Sequence, residues 1–139
     1  MFQIKHKNIL ELTKLVEDGL LSFIDGSSIQ VTYIVMEYCE KGSLHDLVNE
    51  QKLSEEAAHF LFCQIVEGMA FLHTLGLYHR DLKLENIMLT SNYQVKIIDF
   101  GFCTQLKKQE YEQFVGTALF NPPEWFNKEK LLNDFFDVY

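Results

Sequence analysis

Apolar positions change their spacing several times along this 139-residue chain, and each change predicts a different element. Between residues 9 and 36 they crowd into the runs "LLSFI" and "IQVTYIVM", parted by "DGSS". The Asp25-Gly26 pair marks a turn between strand-like segments, so a β-hairpin ending near Met36 is predicted. After Gly42, "SLHDLVNEQ" reads as a short helix. From 53 to 76 the spacing becomes helical: Leu61, Ile65, Met69 and Leu72 form one stripe, and Phe60, Cys63 and Val66 widen it enough to predict a mostly buried helix. Ser54 supplies an N-cap, Glu55 and Glu56 suit the positive end of the helix dipole, and Gly76 stands where the chain leaves the helix. "NIML" and "QVKIID" then flank Ser91-Asn92-Tyr93 as a second hairpin, and residues 100 to 139 read as loops with short helical pieces.

Composition narrows what such a chain can do. With 47% hydrophobic and 14% aromatic residues it can build one sizeable core, so one domain, or part of one, is expected rather than a disordered chain. A formal net charge of -8 argues against tracking a phosphate backbone, and no nucleic-acid partner is expected. Cys39, Cys63 and Cys103 are odd in number and far apart, which excludes a disulfide framework and suits a reducing compartment. Cys63 reads as a small core residue, and its spacing from His59, four positions, offers only two of the ligands a metal site needs. No run approaches the roughly 18 apolar residues of a membrane span, and the start "MFQIKHKNIL" lacks a signal-peptide centre. A soluble, cytoplasmic chain with no membrane partner is the expectation.

The densest chemistry lies in "YHRDLKLENIML", residues 78 to 89, where Asp81, Lys83 and Asn86 put a carboxylate, an ammonium and an amide within six positions. One hairpin later comes Asp99, opening "DFG", so the hairpin can fold both carboxylates into one cleft. "HRDLKLEN" followed by "DFG" resembles the catalytic loop and metal-binding triplet of the protein kinases. Five fixed residues at that spacing arise by chance on the order of once in a few million windows, before the second motif is counted. Further stretches carry the resemblance along the chain: "HKNI" (6 to 9), "IVMEYCEKGSL" (34 to 44), "GTALFNPPE" (116 to 124) and "DVY" (137 to 139).

The resemblance implies a protein-kinase-like α+β fold, truncated at both ends. Residues 1–38 would be the remnant of the N-lobe and the start of the hinge, and 39–139 a partial C-lobe. It implies that Asp81 orients a substrate hydroxyl and accepts its proton, that Lys83 neutralises the transferring phosphoryl group, and that Asn86 and Asp99 hold Mg²⁺. Thr117 would bond to Asp81 and Lys83. ATP would lie against Met36, Ser43 and Met88, with the backbones of Glu37 and Cys39 on its adenine edge. His79 and Phe100, with Leu12, would stack between the lobes. Lys83 at its place resembles the serine/threonine-directed branch, which makes proteins bearing Ser or Thr the implied substrates.

The departures are specific. Leu84 and Pro122 replace residues commoner in the family, and the chain holds no glycine-rich loop and no V-A-x-K lysine. The 139 residues alone are therefore expected to be inactive, and their apolar helix to invite association with chaperones. The competing expectation is a non-catalytic interaction module that keeps the helical core. Between Thr104 and Thr117 there is no serine or threonine, so Glu112 or Glu110, beside Tyr111, is expected to pair with Arg80 in place of a phosphate.

Overall fold

The computed structural model describes residues 4–105, 116–117 and 137 of the chain. The first apolar runs form an antiparallel hairpin of β1 (Leu12–Ser22) and β2 (Ser28–Met36), ending where the pattern predicts. Loop 23–27 closes it: the Phe23 N–H donates to the Ser27 carbonyl at 2.9 Å, and Ser27 donates from both its N–H and its hydroxyl to Asp25 Oδ1 at 2.9 and 2.6 Å. Gly26 sits at φ 83°, a left-handed conformation that costs glycine nothing.

Two capped helices follow. α1 (Leu44–Glu50) starts at Ser43, whose hydroxyl accepts the Asp46 N–H at 3.1 Å while Asp46 Oδ2 accepts the Ser43 N–H at 3.2 Å. This reciprocal box satisfies two of the amides that a helix start leaves open. α2 (Glu55–Thr74) is capped by Ser54, which accepts the Ala57 N–H at 3.2 Å, and Gly76 lets the chain turn away at φ 67°. β3 (Leu77–Tyr78) then pairs with β6 (Thr104–Gln105), and a single 3₁₀ turn, Leu84–Asn86, leads into β4 (Ile87–Leu89). β4 pairs antiparallel with β5 (Val95–Ile97), with Ile87 opposite Ile97, as the second hairpin predicts.

The expectation of a mostly buried α2 is corrected. Leu61, Gly68, Met69 and Leu72 are buried, whereas Phe60, Phe62 and Val66 are exposed, and so is Cys63, which is no core residue. At about 100° per residue, Leu61, Ile65, Met69 and Leu72 share one arc of the helix, and Phe60, Cys63 and Val66 fall on the other side. Apolar character widened the stripe in sequence, but β4 and β5 cover only the inner arc. Among the described residues, no helix is long and apolar enough to cross a membrane.

The core joins Leu61, Met69 and Leu72 of α2 to Ile87, Leu89, Val95 and Ile97 of the second hairpin, with Leu44 and Leu47 of α1. The segment before β1 is sewn into it. The Ile97 N–H donates to the Asn8 carbonyl at 2.9 Å, and the Leu10 N–H returns to the Ile97 carbonyl at 3.0 Å. Asn8, fully buried, donates from Nδ2 to Val95 O and Gln64 Oε1, each at 3.2 Å. Gln64 Oε1 also accepts the Val95 N–H at 3.0 Å. This polar seam lies where α2 carries no side chain: a Cβ on Gly68 would stand 2.8 Å from Ile97 Cδ1 and 3.1 Å from Asn8 Cβ. Mid-helix glycine ordinarily costs about 1 kcal/mol against alanine, so close approach explains its use here.

Gly68→Val is expected to destabilise the fold by about 1–3 kcal/mol through overpacking, despite removing a helix-weakening glycine. Thermal unfolding checks this. An unchanged or raised midpoint would show that the seam yields freely.

Candidate active site

β3 delivers the chain into His79, Arg80 and Asp81, a stretch with little regular structure of its own. Asp137 holds it. Its side chain has no exposed surface, and its carboxylate accepts the His79 N–H at 2.9 Å, the Arg80 N–H at 2.7 Å and a bond from His73 Nε2 at 3.0 Å. These bonds secure Arg80 in the left-handed region at φ 65°, a conformation costly to a residue with a Cβ. His79 is fully buried; its Nε2 lies 2.8 Å from the Ile98 carbonyl and its Nδ1 accepts the Asp81 N–H at 3.3 Å. That pair of contacts requires the proton on Nε2. The His79 ring lies 5.2 Å from that of Phe100, tilted by 59°. Leu12, 46% exposed, lines a cleft together with Phe100.

Asp81 is buried, and four donors converge on its carboxylate. Oδ1 accepts the Thr117 N–H at 2.8 Å and the Thr117 hydroxyl at 2.7 Å. Oδ2 faces Lys83 Nζ at 3.0 Å and Asn86 Nδ2 at 3.1 Å. Lys83 Nζ also donates to Thr117 Oγ1 at 2.8 Å, closing a three-cornered contact. Burial pushes the Asp81 carboxyl up, but the bonds from Thr117 and Lys83 together outweigh it and hold the group below its usual value. The result is a carboxylate kept ionised and aimed, with a threonine hydroxyl resting on it.

Asn86 has its amide orientation set by its partners, because Nδ2 donates to the Asp81 carbonyl at 2.8 Å as well as to Oδ2. Its Oδ1 accepts no hydrogen bond among the described residues. The Ile98 N–H donates to the Asn86 carbonyl at 3.0 Å, which brings Asp99, the next residue, beside it. Asp99 is exposed, lies at φ 61°, and uses Oδ1 to accept the Gly101 N–H at 3.2 Å. A carboxylate and an amide oxygen suit a hard cation such as Mg²⁺, which takes few protein ligands and fills its octahedron with phosphate or water. Among the described residues no three His, Cys, Asp or Glu side chains cluster as a metal cage, and His59 has only Cys63 beside it.

The other positions that the resemblance implies for ATP lie mainly in the segment between β2 and α1. Met36 ends β2 and is half exposed, the Glu37 N–H donates to the Glu11 carbonyl at 3.3 Å, and Cys39 is buried. No hydrogen bond among the described residues uses the Glu37 carbonyl or the Cys39 N–H. Ser43 lies in the same segment, its hydroxyl engaged with Asp46 as the cap of α1, and its backbone bridges to half-buried Met88. Burial raises the thiol pKa of Cys39 and of Cys103, so neither is an activated nucleophile. Glu110, Tyr111 and Glu112 lie outside the described residues; Arg80 itself donates from Nε to the Phe102 carbonyl at 2.6 Å.

The resemblance matches Asp137 to a family position but gives it no task, since nothing local ties it to a loop 57 positions away. Only its short "DVY" signature marked it. Nothing local in the sequence signals the partners of Lys96 or Asn8.

Comparison with known proteins agrees with this geometry. The chain matches the protein kinase domain over residues 1–139. It is 39% identical over 127 residues to serine/threonine-protein kinase PLK4 of Danio rerio, covering 88% of this chain and 12% of that protein. It is 34% identical over 138 residues to 3-phosphoinositide-dependent protein kinase 1 of Arabidopsis thaliana, covering 90% and 26%. With human NUAK family SNF1-like kinase 1 it shares 44% identity over 96 residues, covering 68% and 14%. The matched stretch thus spans 12–26% of the length of these relatives, and the domain match includes both the Asp81 loop and the Asp99 triplet. It belongs to the eukaryotic serine/threonine protein kinase family.

Proposed function

We propose that these residues serve transfer of the ATP γ-phosphate to serine or threonine hydroxyls of proteins. The observation that carries the reading is the Asp81 carboxylate, ionised, buried and already receiving a threonine hydroxyl at 2.7 Å beside the Lys83 ammonium. A substrate hydroxyl takes the corresponding position. Its oxygen attacks the γ-phosphorus, its proton passes to Asp81, the bond to the β–γ bridging oxygen breaks, and ADP leaves. Lys83 offsets the charge gathered on the phosphoryl oxygens. Asn86 and Asp99 would hold Mg²⁺, which supplies positive charge to the phosphates when bound. Met36, Ser43 and Met88 would frame the adenine, and the Glu37 carbonyl and Cys39 N–H would bond its edge. Residues 1–38 and 39–139 would then be the two sides of one nucleotide cleft.

A second reading, a non-catalytic module, draws support from the exposed Phe60, Phe62 and Val66 on α2, which also suit capture by chaperones. The two readings part at the Asp81 centre, which an interaction module has no use for.

Two tests follow. Purified protein of these 139 residues is expected to bind ADP more tightly with Mg²⁺ than without, and Asp99→Asn to remove that difference, as read by calorimetry. Incubated with labelled ATP, Mg²⁺ and a peptide library it should show no phosphotransfer, because no glycine-rich loop or strand lysine fixes the triphosphate. Joined to a segment that supplies both, it should phosphorylate Ser/Thr peptides, and Asp81→Asn should lower that rate by about 10²–10⁴-fold. Mg²⁺-independent ADP binding together with a joined protein that stays inactive would favour the second reading.

The Asp81 titration gives the other test. Because its folded value lies below the ordinary carboxylate value of about 3.9, Asp81 contributes stability at neutral pH that disappears only as pH falls through that lower value. Thr117→Val removes a bond that opposes burial, so the Asp81 midpoint should rise toward its unfolded value, and the stability that Asp81 contributes at neutral pH and loses in acid should shrink. Carboxyl NMR titration of both proteins reads this directly. An unmoved midpoint would mean that Thr117 does not hold the charge.

A further inference from the structure

Lys96 is a buried lysine that the chemistry above does not use. It lies in the middle of β5, between Val95 and Ile97, which are both fully buried, and is itself only 8% exposed. Lysine is almost never buried without a partner. Its partner here is the hinge: Lys96 Nζ lies 2.8 Å from Glu37 Oε2.

Strand alternation explains how a core strand reaches the hinge. Val95 and Ile97 pair with Leu89 and Ile87 and belong with them to the core, so Lys96 and its cross-strand partner Met88 occupy the opposite face. Met88 in turn bridges to Ser43. One face of the β4–β5 ribbon thus carries a base-framing residue and a cation bonded to the first hinge residue. The hinge backbone is unevenly tethered. Downstream, the Lys41 N–H donates to Leu89 O at 3.0 Å, and the Leu89 N–H to Gly42 O at 2.9 Å. Upstream, a single 3.3 Å bond from the Glu37 N–H to Glu11 O ties it to the residue just before β1. Between these tethers lie the Glu37 carbonyl and the Cys39 N–H.

We propose that Lys96 is a positioning residue for base recognition: its ion pair with Glu37 fixes the upstream end of the hinge on β5, so that the Glu37 carbonyl and the Cys39 N–H are presented together. This rests on the nucleotide reading given above. Asp99 follows β5 two residues after Ile97, so the ribbon and the residues just past its end lie at both the base end and the metal end of the nucleotide site. Preorganisation of this kind acts on affinity by removing the cost of ordering the hinge at the moment of binding.

The test measures adenosine affinity by calorimetry in the purified 139-residue protein. Lys96→Met keeps the length of the side chain and removes its charge; it should weaken adenosine by about tenfold, as should Glu37→Gln, while the double variant loses little more than either single one. Lys96→Arg, which keeps the ion pair, should stay within about twofold. Mg²⁺ with inorganic tripolyphosphate, which makes no use of the hinge, should bind Lys96→Met as it binds the unaltered protein. Lys96→Gln carries the same comparison if Lys96→Met fails to fold. A lowered thermal midpoint with unchanged adenosine affinity would overturn the proposal and leave Lys96 a purely structural partner of Glu37. Equal losses for adenosine and tripolyphosphate would overturn it too. Unaltered protein that binds no adenosine would instead remove the nucleotide reading itself.

Discussion

The buried carboxylate of Asp137 is the interaction on which the arrangement of the site depends. A loop that must present Asp81 at a defined angle cannot rest on regular helix or strand bonds, and Arg80 within it stands in the left-handed region. Residues in such conformations cost of order 1–3 kcal/mol and persist only when their surroundings over-determine them. Asp137 does so with two short backbone bonds and a contact to His73 on α2. Bonds to an ionised acceptor are roughly twice as strong as neutral ones, so one fully buried carboxylate can offset both the strain and its own desolvation.

From that anchor the charges alternate outward. Asp81 is held ionised by Thr117 and Lys83, Asn86 is turned by Asp81, and the Asn86 carbonyl takes the Ile98 N–H just before Asp99. Each polar group is oriented by the preceding one. Asp81, Lys83 and Asn86, close in sequence, therefore act as one unit with Thr117 from a distant segment. The His79 ring, bonded to the Ile98 carbonyl and packed near Phe100, ties the same two segments together from beneath.

Much of the fold was legible because its signals are local. The β1–β2 hairpin follows from two apolar runs around Asp25-Gly26, and both helices start at serines that cap them, Ser54 as the sequence predicts. The stretches "HRDLKLEN" and "DFG" singled out Asp81, Lys83, Asn86 and Asp99 for the same reason, short spacing, and the structure gathers Lys83 and Asn86 onto the Asp81 carboxylate. The burial of α2 was not legible. Phe60 and Leu61 are both apolar, and only the presence of the β4–β5 ribbon on one side distinguishes a core residue from an exposed one. Cys63 was misplaced for this reason, as the exposed arc carries apolar side chains too.

What the sequence by itself determined is the set of elements and the reactive groups each carries, since caps, turns and spacing act over a few residues. What tertiary structure alone decided are the partnerships across long separations: Asp137 with His79 and Arg80, Thr117 with Asp81, Asn8 with Val95 beside Gly68, and Lys96 with Glu37. A buried polar group must find a partner, and its residue type states that need without naming the partner. Chain topology names it, because only the packed core brings such distant positions within reach of a hydrogen bond.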